Sequence, residues 1–324
     1  MDPNPPSPSF DPSRPQVRHI DIDEDRDGQR IDNFLITQLK GVPKSRIYRL
    51  LRKGEVRVNK GRVKADNKLI SGDRVRLPPI RVSEAKKTAI PGERLRQLLV
   101  DAILYEDDKL LVINKPSGVA VHGGSGIDLG VIEILRHQFQ SPRWELVHRL
   151  DRETSGCLLI AKRRSALRNL QQQFRDKNTG KTYLCLVGGE WPRECREISL
   201  ALKKNQLQSG ERIVKVDPSG KPAITKFKVV ENFANASLME VDLITGRTHQ
   251  IRVHTQARGH AIVGDDKYGN DEVNKAFKKI GCKRLFLHAY RLQFNLPAED
   301  GKLGPRQFIE APLSEDLQSV LDKL

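Results

Sequence analysis

The chain has 324 residues, which is long enough for two domains that each bury a hydrophobic core. Its 57 Lys and Arg against 41 Asp and Glu give a net charge of +16, which favours a polyanionic partner. No segment approaches the roughly 18 consecutive apolar residues of a membrane span, and the N-terminus has no apolar signal core, so we expect a cytoplasmic protein without membrane contact.

The N-terminal region predicts a tail followed by a small domain. Residues 1–19 are rich in proline and have little to bury, so we expect a disordered tail. Residues 20–81 predict two helices followed by short strands. The first helix is expected over Arg30–Lys40, and the second begins after Pro43 and stops at Gly54.

The predicted small domain is strongly basic. Residues 28–87 hold 17 Lys or Arg and 5 Asp or Glu, a net charge of +12. Arg46, Arg49 and Lys53 lie at helical spacing beside the apolar face of the second helix, an arrangement suited to phosphate contacts. The segment resembles the S-four RNA-binding module. The alternative is an amphipathic helix whose basic face is merely solvated.

Residues 82–100 are charged and weakly patterned, and we interpret them as a linker. Residues 101–324 predict a second, catalytic domain with many more strands than helices. Because crossover helices are few, we expect a largely antiparallel mixed sheet flanked by helices, and so an α+β fold overall. The predicted strands are 110–114, 157–161, 182–187, 225–230, 237–244 and 285–292, and the predicted helices are 130–140, 165–175, 249–258 and 314–324.

The segment His148–Gly156 places a carboxylate, Asp151, between the guanidinium groups of Arg149 and Arg152. Two neighbouring cations favour the charged form of a carboxylate, and they could also bind a phosphate. A Thr-Ser-Gly turn and an apolar strand follow. Taken alone, such a segment is more often a solvated loop with an ordinary surface ion pair.

Three further segments change that interpretation. They are Lys181–Leu184, which contains Tyr183, Thr245–His254, which contains Arg252, and Arg284–Ala289, which contains Leu287. Together with His148–Gly156 they resemble the motifs of the RluA-type pseudouridine synthases, and the resemblance extends over residues 28–324. The stretch from Asn114 to Gly124 resembles the first motif of that family, and we interpret it as structural.

The resemblance implies an isomerase that converts uridine to pseudouridine in 23S ribosomal RNA. Asp151 would act either as a nucleophile towards the sugar or base, or as a base that leaves a glycal, and the sequence does not choose between these routes. Tyr183 would stack on the flipped uracil. Arg252 would pair with Asp151.

The resemblance also implies residues that bind the RNA. Arg149 would enter the stack that the uridine leaves, and Leu287 would contact the base from below. Arg152 is a further candidate for phosphate contact. The expected partner is 23S RNA or a large-subunit assembly intermediate, and the protein is expected to be a monomer.

No cofactor or metal is expected. The four cysteines lack a paired metal spacing, and His249 and His254 are five residues apart, so they do not share a helix face as two zinc ligands would. Two other classes of protein stay open. One is a ribosome-associated RNA-binding protein without catalysis, and the other is a hydrolase, which lacks a Gly-x-Ser-x-Gly motif.

Overall fold

The structure is a computed structural model that describes residues 16–39, 41–80, 91–123, 129–206, 212–298 and 303–324. The chain divides into two compact units, one ending at Thr88 and one beginning at Ala89. Residues 1–15 of the predicted tail lie outside the described residues. Its last part differs from the prediction, because Arg18 and His19 already pair in a β-strand.

The first unit is a small sheet packed against two helices. Four strands are ordered β1-β4-β2-β3 within the described residues. The second helix begins after Pro43 and ends at Gly54, which adopts the left-handed conformation, and both ends agree with the prediction. The elements are β1 (Arg18–Asp21), α1 (Ile31–Gln38), α2 (Lys44–Lys53), β2 (Arg57–Val58), β3 (Gly61–Arg62) and β4 (Arg74–Leu77).

The second unit contains one large sheet with helices packed on it. Its strands are β5 (Ile103–Glu106), β6 (Leu110–Lys115), β7 (Glu145–Leu146), β8 (Ser155–Ala161), β9 (Gly180–Gly188), β10 (Glu197–Gln206), β11 (Arg212–Val216), β12 (Lys221–Phe233), β13 (Ala236–Leu243), β14 (Leu287–Pro297) and β15 (Leu303–Glu310). Its helices are α3 (Glu93–Asp101), α4 (Val131–Gln138), α5 (Arg164–Arg175), α6 (Gln250–Ala257), α7 (Asp271–Lys279) and α8 (Glu315–Leu321).

The sheet is largely antiparallel, as predicted, and the α+β class is confirmed. Its described strands run in the order β11-β10-β12-β13-β9-β14-β8-β6-β5, with β15 paired to β14 and β7 to β8. The pairing of β14 with β8 is parallel. Helices cover both faces of β8, which is why all seven of its residues are buried and its sequence is a continuous apolar run rather than an alternating one.

Helix α3 corrects the predicted linker. Residues 82–90 lie outside the described residues, but residues 93–100 of the predicted linker are helical. Leu95 and Leu99 are four residues apart and therefore share one helix face, and that face packs into the core between α4 and the sheet. The arginines on either side of Leu95, Arg94 and Arg96, concealed this short apolar pattern.

Candidate active site

Asp151 lies in the loop between β7 and β8, and the start of β8 determines where that loop sits. Ser155 and Gly156 pair with His288 and Ala289 of β14. Gly156 has a φ of +109°, and a Cβ at this position would lie 2.3 Å from the Ala289 carbonyl oxygen. Only glycine permits this close approach of the two backbones. The motif glycine therefore anchors the loop that carries Asp151.

The end of β6 and the segment that follows it hold the same loop. The Lys115 side chain is fully buried, and its Nζ donates to the carbonyl oxygens of Pro116, Val119 and Arg152 at 2.7, 2.9 and 3.0 Å. The Ser117 hydroxyl donates to the Glu153 carbonyl at 2.7 Å. Burial lowers the pKa of Lys115 to about 7. This segment was expected to be structural, and it acts in that way by donating hydrogen bonds to the backbone that directly follows Asp151.

A cavity of about 130 Å³ opens in front of the Asp151 carboxylate. Five residues that the sequence analysis selected line it together: Arg149, Asp151, Tyr183, Arg252 and Leu287. They come from the loop before β8, from β9, α6 and the first residue of β14, so the fold joins segments that are more than a hundred residues apart. Such a concave site with a few convergent polar groups is typical of a binding pocket.

His249 is a close neighbour of the Asp151 carboxylate. Its Nε2 lies 3.8 Å from Asp151 Oδ2, and its Nδ1 lies 2.8 Å from the Tyr268 hydroxyl. The Val214 N–H already donates to that hydroxyl oxygen at 2.9 Å, so the hydroxyl hydrogen is available for Nδ1. This arrangement favours the tautomer that directs Nε2–H towards Asp151. From the sequence, only metal binding was considered for His249, and its position beside Asp151 was not predicted.

The charge state of His249 follows from its surroundings. Burial and the positive charge of Arg252 lower the pKa of His249, and the opposing effect of Asp151 is smaller than that of burial. The imidazole is therefore neutral near neutral pH. His249 also has a φ of +53°, in the left-handed region, directly before α6. A non-glycine residue held in this region is often part of a functional site.

Arg252 has a different partner from the one expected. Its Nε and Nη2 donate to Asp265 Oδ2 and Oδ1 at 2.7 and 2.6 Å, and the exposed fractions of the two side chains are 7% and 0%. The expected pairing with Asp151 is thus corrected to a bidentate pair with Asp265. Arg252 still lines the cavity, and the charge of Asp151 contributes to the raised pKa of Arg252.

Tyr183 presents its side chain to the cavity from β9, and the same side chain packs against the apolar cores on both sides of it. Burial, with a smaller contribution from the negative charge of Asp151, raises the pKa of Tyr183 well above its usual value. The phenol therefore keeps its proton at neutral pH. A neutral phenol beside a carboxylate can hold a flat base by stacking and can donate a proton.

Leu287 and the two arginines next to Asp151 occupy different environments. Leu287 is buried and forms part of the apolar wall of the cavity. The Arg149 side chain is exposed and lines the cavity. Arg152 does not line it, and its Nε instead pairs with Glu153 Oε1 at 3.0 Å. Of the two guanidinium groups that flank Asp151 in sequence, only that of Arg149 is therefore at the cavity.

Gln250 holds the loop that closes one side of the cavity. Its buried side chain accepts hydrogen bonds from the Thr245 hydroxyl and the Arg247 N–H at 2.8 and 3.0 Å. Its Nε2 donates to the Ile224 carbonyl and the Thr225 hydroxyl at 3.0 and 2.8 Å. The four hydrogen bonds of the Gln250 amide thus connect the loop before α6 to β12.

The basic residues of the first unit lie where the sequence analysis expected them. Arg46, Arg49 and Lys53 are exposed on α2, beside the face that buries Ile47, Leu50 and Leu51. A separate groove of about 920 Å³ lies on this unit. It is lined by Arg52, Arg62 and Lys64 together with Tyr48, a partly exposed aromatic residue that the sequence analysis did not select.

The described part of the chain has neither a cluster of metal ligands nor a membrane-spanning helix. Among the residues that the structure describes, no group of three or more His, Cys, Asp or Glu side chains is arranged to hold a metal ion. Within the same part of the chain, no helix is both long enough and apolar enough to span a membrane.

The fold and the cavity define an RNA-modifying enzyme, and sequence comparison agrees with them. The RNA pseudouridylate synthase family matches residues 109–257, and the S4 domain family matches residues 29–75. The chain belongs to the RNA pseudouridylate synthase family and is an RNA pseudouridine isomerase. This assignment disfavours the alternative of an RNA-binding protein without catalysis.

Relatives cover almost the whole chain. Ribosomal large subunit pseudouridine synthase C of Escherichia coli K12 is 55% identical over 314 residues, which are 96% of this chain and 97% of that protein. The protein of the same name from Haemophilus influenzae is 53% identical over 311 residues, 95% of each chain. The solved structure of human RNA Pseudouridylate Synthase Domain Containing 1 superimposes with a TM-score of 0.57 and 28% identity, covering 71% of this chain and 89% of that one.

Proposed function

We propose that this protein converts specific uridines of 23S ribosomal RNA to pseudouridine, acting on the RNA or on a large-subunit assembly intermediate. The observation that carries the proposal is the cavity that joins Asp151, Tyr183, Arg252, Arg149 and Leu287. Relatives that are 53–55% identical over nearly the full chain are named for the ribosomal large subunit, which supports this substrate.

The reaction breaks the bond from ribose C1′ to uracil N1 and forms a bond from C1′ to C5. The proton on C5 is lost and N1 gains one, so the product is an isomer and no oxidant or reductant is needed. Asp151 acts on the ribose or base as a nucleophile, or removes a ribose proton as a base. Both routes require a carboxylate that is ionised and accessible, and 23% of the Asp151 side chain is exposed.

Tyr183 and Leu287 hold the uracil while it turns. The phenol ring stacks on the base, an interaction worth about 1–3 kcal/mol and tolerant of the base's orientation. Leu287 supplies an apolar surface that forms no hydrogen bond with either orientation of the base. The raised pKa of Tyr183 keeps a proton available for transfer to the detached base.

Arg149 and Arg252 have separate tasks in this proposal. Extruding a uridine costs a few kcal/mol of stacking and pairing. The exposed guanidinium of Arg149 recovers part of that by entering the vacated position in the RNA stack. Asp265 holds the Arg252 side chain in place, and the positive charge of Arg252 beside the cavity helps to orient the Asp151 carboxylate. His249 directs an N–H towards the Asp151 carboxylate.

The first unit positions the RNA. Arg46, Arg49 and Lys53 form no ion pair with another described residue, so their charges are available to phosphates. Such contacts raise affinity without selecting a base. Arg152 is a further phosphate contact from the second unit. The site uses no metal or cofactor, and the protein works in the cytoplasm, where ribosomes assemble, as a monomer.

The test replaces Asp151 with Asn in a strain that lacks the native protein, followed by pseudouridine mapping of its ribosomal RNA. The matched control is Asp176→Asn, the same chemical change at an exposed position at the end of α5. We expect the control to restore every pseudouridine that the native protein makes and the Asp151 variant to restore none. Normal modification by the Asp151 variant would refute the proposal, as would native protein that modifies no large-subunit uridine.

A further inference from the structure

A second groove, of about 400 Å³, adjoins the active cavity. It lies on the face of the sheet where α6 packs. Leu202 on β10 pairs with Lys221 on β12, and Lys204 on β10 pairs with Val214 on β11. Cross-strand partners and alternate residues of a strand point to the same face. Leu202 and Val214 are buried there against Val253 of α6, so Lys204 and Lys221 extend from that face beyond the helix.

The groove is positively charged. Lys204, Lys221 and Arg247 line it, and their residues are exposed. None of the three forms an ion pair with another described residue. Arg247 is held in place because its Nε donates to the Pro222 carbonyl at 3.2 Å. A fourth cation, Lys203, is already neutralised by Asp217 at 3.4 Å.

The groove and the active cavity share one wall. Gly246, Arg247 and Thr248 line both. This wall is rigid because Gln250 ties the loop to β12, as described above. An RNA strand whose uridine enters the cavity would therefore pass directly over Arg247 into the groove.

We propose that this groove binds the backbone phosphates of the substrate strand on one side of the target uridine. The inference rests on the proposed function, because it takes the occupant of the cavity to be a uridine of that strand. The lining of the groove suits a phosphodiester backbone, which is the same for every RNA sequence. The groove has several separate cations, apolar residues Leu202 and Val214 at its floor, and no unpaired carboxylate among its lining residues. The groove would thus help to hold the strand while the base leaves the stack.

The test is the double variant Lys204→Gln, Lys221→Gln. Both residues are exposed, so the variant is expected to fold. Arg247 is left unchanged because it also lines the active cavity. The control is Lys226→Gln, Lys228→Gln, which removes the same charge from exposed lysines on the opposite face of β12.

Affinity for unmodified large-subunit ribosomal RNA is measured against salt concentration, in an Asp151→Asn background that prevents turnover. For single-stranded RNA, each phosphate contact contributes about 0.7 to the slope of log affinity against log salt. We expect the groove variant to have a slope shallower by about 1.4 relative to the control variant. With Asp151 present, its KM should rise while kcat at saturating RNA is retained.

Two negative outcomes have different meanings. If the groove variant has the same salt slope and KM as the control variant, the groove does not bind the RNA backbone and the proposal is refuted. This conclusion requires that unsubstituted protein forms pseudouridine in the same RNA. Unsubstituted protein that forms none refutes the proposed function itself and, with it, the reason for an RNA strand in the groove.

Discussion

Replacing Arg252 with methionine should separate its structural contribution from its catalytic one. Methionine keeps an unbranched apolar stem but removes both hydrogen bonds to Asp265, whose side chain is fully buried. Removing one partner of a buried ion pair leaves an uncompensated charge and typically costs about 3–5 kcal/mol. We expect the free energy of unfolding of the second unit to fall by about that amount.

The double variant Arg252→Met, Asp265→Asn removes both charges together. Asp265 Oδ1 also accepts hydrogen bonds from the backbone N–H groups of Lys267 and Tyr268, each at 2.9 Å. An asparagine can keep that acceptor while it eliminates the buried charge. We therefore expect the double variant to recover most of the lost stability, whereas pseudouridine formation stays low in both variants because the cavity has lost the guanidinium of Arg252.

Tryptophan fluorescence during urea unfolding measures the relevant stability. The two tryptophans of the chain, Trp144 and Trp191, both lie in the second unit, so the signal does not include the first. Pseudouridine formation on large-subunit RNA is measured in parallel. A double variant that regains full activity would show that Arg252 acts only through stability. A single variant destabilised by less than about 1 kcal/mol would refute the argument from the buried pair.

Four further predictions follow from the site and the basic surface. Tyr183→Phe should retain more activity than Tyr183→Ala, because the phenylalanine ring can still stack on the uracil. Lys115→Met should destabilise the second unit by about 3 kcal/mol, because three part-buried carbonyl groups lose their donor. Burial lowers the pKa of His148, His254 and His288 to about 4. Below about pH 6.5 these three imidazoles therefore bind protons in the unfolded chain but not in the folded one. The free energy of unfolding should fall by about 2 kcal/mol for each imidazole as the pH is lowered from 7 to 5. Neutralising the three α2 cations should weaken RNA binding and flatten its salt dependence without changing which uridine is modified; these cations are Arg46, Arg49 and Lys53.

Each of these has a clear contrary result. Equal losses in the two Tyr183 variants would assign the essential role to the hydroxyl rather than to the ring. A stable Lys115→Met protein would mean that water replaces the ammonium group. Stability that stays constant from pH 7 to pH 5 would contradict the neutral, buried histidines. An unchanged salt slope after the α2 substitutions would show that this helix does not bind RNA phosphates.

The parts of the molecule that sequence predicts best are those governed by local patterns. Pro43 and Gly54 mark the ends of α2 because each has a backbone preference of its own, independent of the rest of the fold. The large sheet was recognisable from its many apolar runs. Helix α3 was missed because its buried contact rests on only two leucines among charged residues.

Within the site, motif resemblance located the cavity residues but not their partners. Arg252 lies beside two carboxylates, and only the three-dimensional path of the chain decides that Asp265 receives its hydrogen bonds. Asp265 follows an apolar stretch, Ala261–Gly264, and a carboxylate in such a position predicts a buried charge that needs a cation. That signal was available in the sequence. The contact between His249 and Tyr268 had none, because it depends on a hydroxyl that β11 also binds.

The division of partners between the two carboxylates has a chemical consequence. Asp265 accepts two hydrogen bonds from Arg252 and two from the backbone N–H groups of Lys267 and Tyr268, so its lone pairs are occupied and it is a poor nucleophile and a poor base. Among the described residues, no group donates a hydrogen bond to the Asp151 carboxylate, and His249 Nε2 lies 3.8 Å from it. Asp151 therefore keeps its lone pairs for the substrate, while the paired Arg252 and Asp265 keep the cavity rigid around it. A direct pairing of Arg252 with Asp151 would have oriented the carboxylate but would also have reduced its reactivity before the RNA arrives.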